Sequence, residues 1–239
     1  MLPLLLPGGR LSQSFPPLSA ALDEPQGLLA AEGCLSCERL VDAYRQGIFP
    51  WFDDSQPILW WSPTPRAVLM PHSLHISRSL RKAAKRSTLC IKLNHNFEQV
   101  IEACAAPRDD QEGTWITEDM IEAYCELHRQ GFAQSIEVYD DEQLVGGLYG
   151  VKVGQLFFGE SMFSRIANGS KYALAFLALN AKRLGIEAID CQMETEHLTS
   201  MGTALIDRES FIGLLDAHTQ PAVATTDWHG EYSVECVFG

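Results

Sequence analysis

Apolar and polar positions in the second half of the chain follow two periods, which together predict a mixed sheet. Alternating runs at about 135–139, 143–149 and 155–158 are separated by turn residues, as in an antiparallel meander. A helical pattern over about 171–183 and an apolar run at 188–192 follow, which is the order of a βαβ unit. We therefore expect an α/β or α+β protein built on one mixed sheet.

A proline-rich segment at residues 62–65 is the strongest break in the chain, and we take it as a domain boundary. We expect a small aromatic-rich domain over residues 1–65 and a larger domain over residues 66–239. Within the small domain, residues 1–13 are interpreted as a loose tail and residues 35–46 as a helix.

The larger domain has further periodic segments on both sides of the meander. They predict helices at about 75–86, 118–130, 196–201 and 208–217, and strands at about 88–93 and 232–238. A meander that leads into a βαβ unit in this order resembles the acetyltransferase superfold. The larger domain is therefore expected to be GNAT-like.

Three polar side chains are expected to meet at one end of the sheet. Glu160 lies in the loop after the strand that ends near Phe158, and Asp190 and Gln192 end the last strand of the βαβ unit. Asp190 and Gln192 share a strand face because they are two residues apart, and Cys191 points the other way. Since ligands of open α/β sheets bind beyond the carboxyl ends of the strands, the sequence predicts a reaction centre there.

The residues around this reaction centre are apolar, which fits a substrate with an apolar side chain and a reacting polar group. They are Phe157, Met162, Leu177 and Ile189. A carboxylate between apolar runs is unfavourable unless it is paired. We therefore expect Glu160 to have a cationic partner or ligand; the alternative is an ordinary carboxylate at a strand end.

Bulk composition narrows the class of protein. The chain has 239 residues, 46% hydrophobic and 21% charged, which is typical of a globular protein. It lacks an apolar run of the roughly 18 residues that suggest a membrane span. Seven cysteines, an odd number at irregular spacing, indicate reduced thiols and a cytoplasmic location. Since Cys34 and Cys37 have no second pair beside them, no metal and no cofactor are expected.

The net charge of −13 argues against a nucleic-acid partner, but the distribution of charge reverses that argument. Residues 55–97 contain no Asp or Glu. Five cations in this segment recur on one helix face, and we name them the basic stripe: Arg78, Arg81, Lys82, Lys85 and Arg86. The alternative is an ordinary solvated helix face, but such faces usually mix both signs. The basic stripe is therefore predicted to bind a polyanion.

Three tryptophans, Trp51, Trp60 and Trp61, lie close together among prolines. Such a cluster is either a small aromatic core under loops or a stacking platform for a base or a ring. The spacing alone favours the core, because aromatic side chains bury large areas.

Eight short motifs occur in one order between residues 47 and 192, and the similarity that they mark runs from about residue 15 to about residue 211. They are G-I-F-P-W-F, I-L-W-W-S-P-T-P-R, L-H-I-S-R-S-L, E-G-T-W-I-T, S-I-E-V-Y, L-V-G-G-L-Y-G, F-G-E-S-M-F-S-R and I-D-C-Q. Each motif is modest evidence, whereas the ordered set is highly specific. Together they closely resemble the leucyl/phenylalanyl-tRNA–protein transferase family.

The resemblance implies an aminoacyltransferase of the bacterial N-end rule. Such an enzyme moves Leu or Phe, and Met less well, from aminoacyl-tRNA to the α-amine of a protein that begins with Arg or Lys. The implied partners are Leu-tRNA, Phe-tRNA and these acceptor proteins, and a monomer is expected. The implied fold is a small N-terminal domain followed by a GNAT-like domain.

The resemblance also implies roles for individual residues. The reaction centre matches Glu160, Asp190 and Gln192, and the tryptophans near the terminal adenosine match Trp51 and Trp115. The aminoacyl pocket matches Leu148, Phe157, Met162, Leu177 and Ile189. The tRNA-binding cations match Arg78, Lys82, Lys85 and Arg86, four members of the basic stripe.

A mechanism follows from the chemistry of an aminoacyl ester, which is already activated and needs no ATP. The acceptor α-amine has a pKa of about 8, so a usable fraction is neutral at cytoplasmic pH. Positioning of the reactants and stabilisation of the developing charge can then supply most of the rate acceleration. We assign Gln192 to hold the attacking amine, Asp190 to polarise that contact, and Glu160 to the cationic acceptor or its amine.

Two other functions compete with this interpretation. An acyl-CoA N-acyltransferase on the same fold needs a glycine-rich pyrophosphate loop, and residues 165–170 have the wrong spacing and glycine count. A non-catalytic tRNA-binding module would not need Glu160, Asp190 and Gln192.

Overall fold

Two sheets form the framework of the protein in a computed structural model, which describes residues 4–6, 14–107, 116–220 and 228–238. The smaller sheet has the strand order β1-β2-β4-β3. Its strands are β1 (Leu4–Leu6), β2 (Leu28–Glu32), β3 (Phe49–Pro50) and β4 (Leu59–Trp61). Helix α1 (Cys37–Arg45) begins after Ser36, whose side chain accepts a hydrogen bond from the backbone N–H of Arg39 and caps the helix.

The prediction of a loose tail over residues 1–13 is wrong for Leu4–Leu6. These residues pair in parallel with β2, with Leu4 opposite Ala30 and Leu6 opposite Glu32. Leu6 is only 1% exposed. Burial of this leucine and pairing of the backbone polar groups together offset the entropy lost on ordering the segment.

The larger sheet is mixed, with the strand order β11-β5-β10-β9-β8-β7-β6-β12. Its strands are β5 (Arg66–Leu69), β6 (Cys90–Leu93), β7 (Ala133–Asp140), β8 (Gln143–Val153), β9 (Leu156–Ser164), β10 (Ala188–Gln192), β11 (Ala204–Ile206) and β12 (Glu231–Ser233). Neighbouring strands are antiparallel except β9 and β10, which are parallel. The predicted meander and βαβ unit, and with them the α/β fold class, are confirmed.

Helices cover both faces of the larger sheet. They are α2 (Arg78–Ala84), α3 (Phe97–Ala105), α4 (Glu118–Arg129), α5 (Gly169–Leu179), α6 (Ala181–Leu184), α7 (Glu196–Ser200), α8 (Arg208–His218) and α9 (Val234–Phe238). Helix α5 packs on one face and α3 and α4 on the other. The core on the α3–α4 face continues into the smaller sheet and α1, so the two sheets share it. Within the described residues, no helix has the length and apolar character to cross a membrane.

Two predicted elements differ from the structure. Glu160 lies on β9 rather than in a loop, because β8 and β9 stay paired as far as Gly146 and Ser164. The last predicted strand is only three residues long and is followed by helix α9. Val234 and Phe238, four residues apart, are both buried, which is the spacing of one helix face rather than of a strand.

The site is positioned by a divergence of β9 and β10. Their parallel pairing begins with Ala188 opposite Leu156 and reaches Asp190 opposite Phe158. Beyond this point β9 continues along β8 to Ser164, whereas β10 ends at Gln192. The divergence opens the sheet at the carboxyl end of β10.

Candidate active site

A cavity of about 1050 Å³ lies at the divergence of β9 and β10. Its walls come from β3, α3, β8, β9, α5, β10 and α7 and from the loops next to them. All five predicted pocket residues line it, namely Leu148, Phe157, Met162, Leu177 and Ile189. Glu160 and Gln192 line the same cavity. The fold therefore brings the predicted apolar pocket and two of the three predicted reactive residues into one space.

Glu160 and Gln192 are directly hydrogen-bonded. The side-chain amide of Gln192 donates from Nε2 to Glu160 Oε1 at 2.9 Å. On the other side, Tyr124 Oη donates to Glu160 Oε2 at 3.0 Å. Both carboxylate oxygens thus have a neutral donor, although Glu160 is only 8% exposed. We refer to Glu160 and Gln192 as the carboxylate–amide pair.

Burial raises the pKa of Glu160 to about 7. The negative charge of Asp190 also raises this pKa, whereas hydrogen bonds with Tyr44, Tyr124 and Gln192 lower it. The carboxyl group is therefore close to half-ionised at neutral pH, which is the range in which a group can take up and release protons efficiently.

Three buried tyrosines surround Glu160. The hydroxyls of Tyr44, from α1, and Tyr124, from α4, are hydrogen-bonded to each other. Tyr149 Oη, on β8, has no hydrogen-bond partner among the described residues. Burial, followed by the charge of Glu160, raises the pKa of all three tyrosines well above its ordinary value. They are therefore neutral hydroxyls, available as donors at any physiological pH.

Asp190 lies behind the carboxylate–amide pair and forms a buried ion pair with Arg66. Arg66 donates from Nε to Oδ1 at 2.9 Å and from Nη2 to Oδ2 at 2.7 Å. Arg66 is 1% exposed and Asp190 is 2% exposed. Within the described residues Glu160 has no cationic side-chain partner, because the buried cation of this region is bound to Asp190. A cationic ligand of Glu160 stays a prediction.

Gln192 has the positive backbone φ of 63°. Its N–H donates to Asp190 Oδ1 at 2.9 Å. Asp190 and Gln192 thus lie on the side of the sheet that faces Glu160, and Cys191 packs against the core on the α5 side. This arrangement matches the alternation predicted for the strand.

The tryptophan cluster was interpreted as either an aromatic core or a stacking platform, and its members differ in which of the two they fit. Trp60 is fully buried and donates from Nε1 to the carbonyl of Glu32 at 2.8 Å, so it belongs to the core. Trp51 is 39% exposed and lines the cavity. Trp61 lies edge-on to Trp51, with 5.5 Å between ring centroids. Trp115 lies outside the described residues.

The basic stripe is exposed on and just beyond α2. All five of its side chains are exposed, whereas Leu80 and Ala84, on the opposite face of the helix, are buried in the core. Arg81 Nη1 donates to the carbonyl of Phe238 at 3.3 Å. No stripe residue forms an ion pair with a carboxylate in the part of the chain that the structure describes. The stripe therefore presents unneutralised positive charge to solvent.

All seven cysteines lie within the described residues, and no two of them form a disulfide. Cys34 Sγ lies 3.7 Å from Ser36 Oγ. Across the described ranges, no three His, Cys, Asp or Glu side chains are grouped so that they could hold a metal ion.

Sequence reasoning missed three residues of the site. They are Tyr44, Tyr124 and Arg66, none of which the local pattern marks as part of a site. A tyrosine on an apolar helix face is a weak signal, since a buried hydroxyl needs a hydrogen-bond partner. An arginine at the start of an apolar strand is a similar signal, because a buried guanidinium needs a carboxylate.

A mixed α/β fold whose apolar cavity ends in a buried carboxylate–amide pair is typical of an enzyme acting on a substrate with an apolar group. Comparison with known proteins defines the enzyme further. The family model described as leucyl/phenylalanyl-tRNA protein transferase matches residues 68–216, and the model of its N-terminal domain matches residues 33–64. The chain belongs to this aminoacyltransferase family.

Curated relatives agree over almost the whole chain. A leucyl/phenylalanyl-tRNA–protein transferase of Pseudomonas fluorescens is 55% identical over 217 residues, which cover 90% of this chain and 96% of the relative. That of Pseudomonas syringae is 56% identical over 220 residues, covering 92% and 95%. That of Nitrosomonas eutropha is 53% identical over 219 residues, covering 92% and 94%.

Proposed function

We propose that the protein transfers Leu or Phe, and Met less well, from aminoacyl-tRNA to the N-terminal α-amine of proteins that begin with Arg or Lys. This reaction marks the acceptor for degradation by the N-end rule. The observation that carries the proposal is the carboxylate–amide pair at the end of an apolar cavity. Membership of the family and the names of the relatives support the nature of the donor.

The apolar part of the cavity supports the choice of amino acid. Leu148, Phe157, Leu177 and Ile189 are buried, and Met162 is partly buried beside them. Such a pocket separates near-isosteric apolar side chains by only about 1–3 kcal/mol. Leu and Phe are therefore both accepted, whereas a charged side chain would lose its hydration without gaining a partner.

The orientation of Gln192 supports a role in holding the acceptor. Because its Nε2 donates to Glu160, its remaining side-chain group is the carbonyl oxygen, which can only accept. An acceptor N–H is a suitable donor to that oxygen. The amine can thus be held with its lone pair free to attack the ester carbonyl of the aminoacyl-tRNA.

The raised pKa of Glu160 supports it as the group that takes the proton from the amine. A carboxyl group with a pKa of about 7 matches an α-amine with a pKa of about 8 closely enough for transfer in either direction. When ionised, Glu160 also favours a cationic acceptor. The bond that forms is the amide, and the bond that breaks is the ester to the terminal ribose, whose oxygen leaves with a proton.

The basic stripe supports tRNA as the carrier, because exposed unpaired cations bind phosphates. Trp51, exposed at the cavity, and Trp115 are proposed to contact the terminal adenosine. The loop from Ser73 to His75 links the stripe to the cavity wall, since the His75 N–H donates to the Met201 carbonyl just after α7. We further propose a GNAT-like catalytic domain, a monomer, and action in the cytoplasm, where the seven thiols stay reduced.

The test is transfer of radiolabelled Phe from Phe-tRNA to a peptide that begins with Arg. Peptides beginning with Lys and Ala measure acceptor preference, and Asp-tRNA measures donor preference. We expect transfer to Arg and Lys peptides, weak transfer to the Ala peptide, and none from Asp-tRNA. Efficient acyl transfer from acetyl-coenzyme A in place of the tRNA would contradict the proposal.

A further inference from the structure

Gln192 occupies a strained turn at the end of β10. Its φ is 63°, and the N–H of Met193 donates to the carbonyl of Cys191 at 2.7 Å, which closes a three-residue turn around Gln192. A γ-turn with positive φ is rare and strained for a residue with a side chain. Such a conformation persists only when its surroundings hold it.

Asp190 provides the hydrogen bond that holds the turn. Its Oδ1 accepts the Gln192 N–H at 2.9 Å, at the register shift between β10 and β5. The same oxygen accepts from Arg66 Nε, while Oδ2 accepts from Arg66 Nη2. The fork of the guanidinium thus fixes the plane of the carboxylate, and the carboxylate fixes the N–H of Gln192.

Arg66 is itself immobilised between two aromatic rings from different parts of the chain. Its Cζ lies 4.9 Å from the ring centroid of Phe49, on β3, and 4.5 Å from that of Phe211, on α8. A planar guanidinium can stack on rings and donate two parallel hydrogen bonds at once, which an ammonium group cannot. The chain Arg66–Asp190–Gln192 therefore has one well-defined arrangement.

We propose that Arg66 is a positioning residue for aminoacyl transfer: acting through Asp190, it holds Gln192 in the turn that places its side chain on Glu160. The proposal rests on the function proposed above. Arg66 does not line the cavity, so it contacts neither substrate. Its effect reaches the reaction through the geometry of Gln192 and the charge of Asp190.

The charge of Asp190 gives the proposal a second consequence. Within the described residues, the ionisable groups that face Glu160 are Tyr44, Tyr124, Tyr149 and Asp190, and the three tyrosine hydroxyls are neutral. Asp190 already raises the pKa of Glu160. Without Arg66, the carboxylate of Asp190 would be unpaired, and we expect the pKa of Glu160 to rise further.

The test compares Arg66→Met and Arg66→Lys with the matched control Arg208→Met. Arg208 is a neighbouring, partly buried arginine that donates to the Ser62 carbonyl, and among the described residues it forms no ion pair with Asp190. We expect Arg66→Met to lower kcat by about 100-fold, the effect of losing a positioned donor, with KM for aminoacyl-tRNA within about threefold of wild type. Arg208→Met should change neither by more than about threefold.

Arg66→Lys separates charge from geometry. It retains the positive charge but loses the fork, so the acid limb of the kcat–pH profile should stay near its wild-type midpoint while kcat remains reduced. In Arg66→Met the midpoint should move to higher pH. Equal losses of kcat in Arg66→Met and Arg208→Met, with an unmoved midpoint, would reduce Arg66 to a general structural role and overturn the proposal.

Two further measurements keep the proposal testable. The first covers the case in which Arg66→Met does not fold, and the second the case in which the proposed function is wrong. The double variant Arg66→Met/Asp190→Asn removes both charges of the ion pair together, so it should fold. Its kcat should stay low, and a kcat equal to that of wild type would overturn the proposal. Carbon-13 NMR titration of the Glu160 carboxyl, identified by its absence in Glu160→Gln, needs no transfer activity. An unchanged Glu160 midpoint in Arg66→Met would overturn the proposal even if wild type transfers nothing.

Discussion

At the scale of single residues, the site is decided by which polar groups share the buried space. Glu160 and Asp190 are both buried carboxylates, but their partners differ. Asp190 has a guanidinium, whereas Glu160 has neutral donors from Tyr124 and Gln192. Burial without a cationic side-chain partner in the described residues raises the pKa of Glu160 to about 7, whereas Asp190 is paired with Arg66. Two carboxylates therefore take two roles because of their surroundings.

Glu160 should make stability depend on pH. Because its pKa is raised in the folded state, the folded chain keeps a proton that the unfolded chain releases between about pH 4.5 and pH 7. Wild-type stability should therefore fall through this window as pH rises. Glu160→Gln should remove that fall. The free energy of unfolding of the variant, relative to that of wild type, should therefore be about 2–3 kcal/mol higher at pH 8 than at pH 5. Urea unfolding of both proteins at pH 5 and pH 8 measures this difference. The same change in stability in wild type and variant would contradict the prediction.

Gln192→Ala should impair the reaction without impairing tRNA binding. The substitution removes the oxygen proposed to hold the acceptor amine, and the loss of one positioned group typically lowers kcat by about 100-fold. Affinity for aminoacyl-tRNA should change little, because the basic stripe lies on another element. Single-turnover transfer and filter binding measure the two effects. Near wild-type turnover would remove Gln192 from the mechanism.

At the scale of elements, α2 carries the basic stripe and the βαβ unit carries much of the apolar pocket. The α2 helix buries Leu80 and Ala84 and exposes five cations. The βαβ unit places the apolar pocket against α5, whose approach to β8 is unusually close. A Cβ on Gly146 would lie 2.7 Å from Gly169 Cα, so only glycine permits this contact. The helix of the βαβ unit thus lies directly on the strand that carries Leu148.

Charge reversal of the stripe should weaken tRNA binding regardless of tRNA sequence. In Lys82→Glu/Lys85→Glu/Arg86→Glu, each lost phosphate contact should lower the slope of log affinity against log salt by about one unit. The matched control is Arg45→Glu/Arg129→Glu/Lys182→Glu, which changes net charge equally at exposed positions elsewhere. Binding titrations at several salt concentrations measure both. Equal effects of the two triple variants would show that only net charge matters.

At the scale of the whole molecule, the smaller sheet and the larger sheet share one core. Tyr44 of α1 reaches Tyr124 of α4, and Phe49 of β3 stacks on Arg66. The candidate active site is therefore built from both sides of the predicted domain boundary. Loss of the N-terminal part would remove groups that hold Glu160 and Asp190.

The ordered N-terminal strand gives a test of this shared core. Leu6→Ala should lower the free energy of unfolding by about 2–4 kcal/mol, because Leu6 is 1% exposed and its truncation leaves a cavity. Leu5→Ala is the matched control, since Leu5 is 61% exposed, and it should change stability by less than about 0.5 kcal/mol. Urea unfolding followed by fluorescence measures both. Equal stabilities would restore the interpretation of this segment as a loose tail.

Much of the main domain could be predicted from local pattern. The meander, the strand at 188–192 and the helix capped by Thr117 all follow from periodicity and capping residues. Helix α3 was not predicted, although Asn96 caps it by accepting the N–H of Gln99. The C-terminal strand was wrong after Ser233, because a short apolar segment does not by itself distinguish a strand from a helix.

The sequence by itself determined the periodic elements, their order, the face shared by Asp190 and Gln192, and the acid-free stripe, because these depend on neighbours within a few residues. Only the tertiary structure decided that Arg66 pairs with Asp190 across 124 positions, and that Tyr124 pairs with Glu160 across 36. The tertiary structure also decided that the segment with Leu6 pairs with β2. Such contacts depend on how elements pack and on which buried polar group must find a partner, and local periodicity carries no information about either.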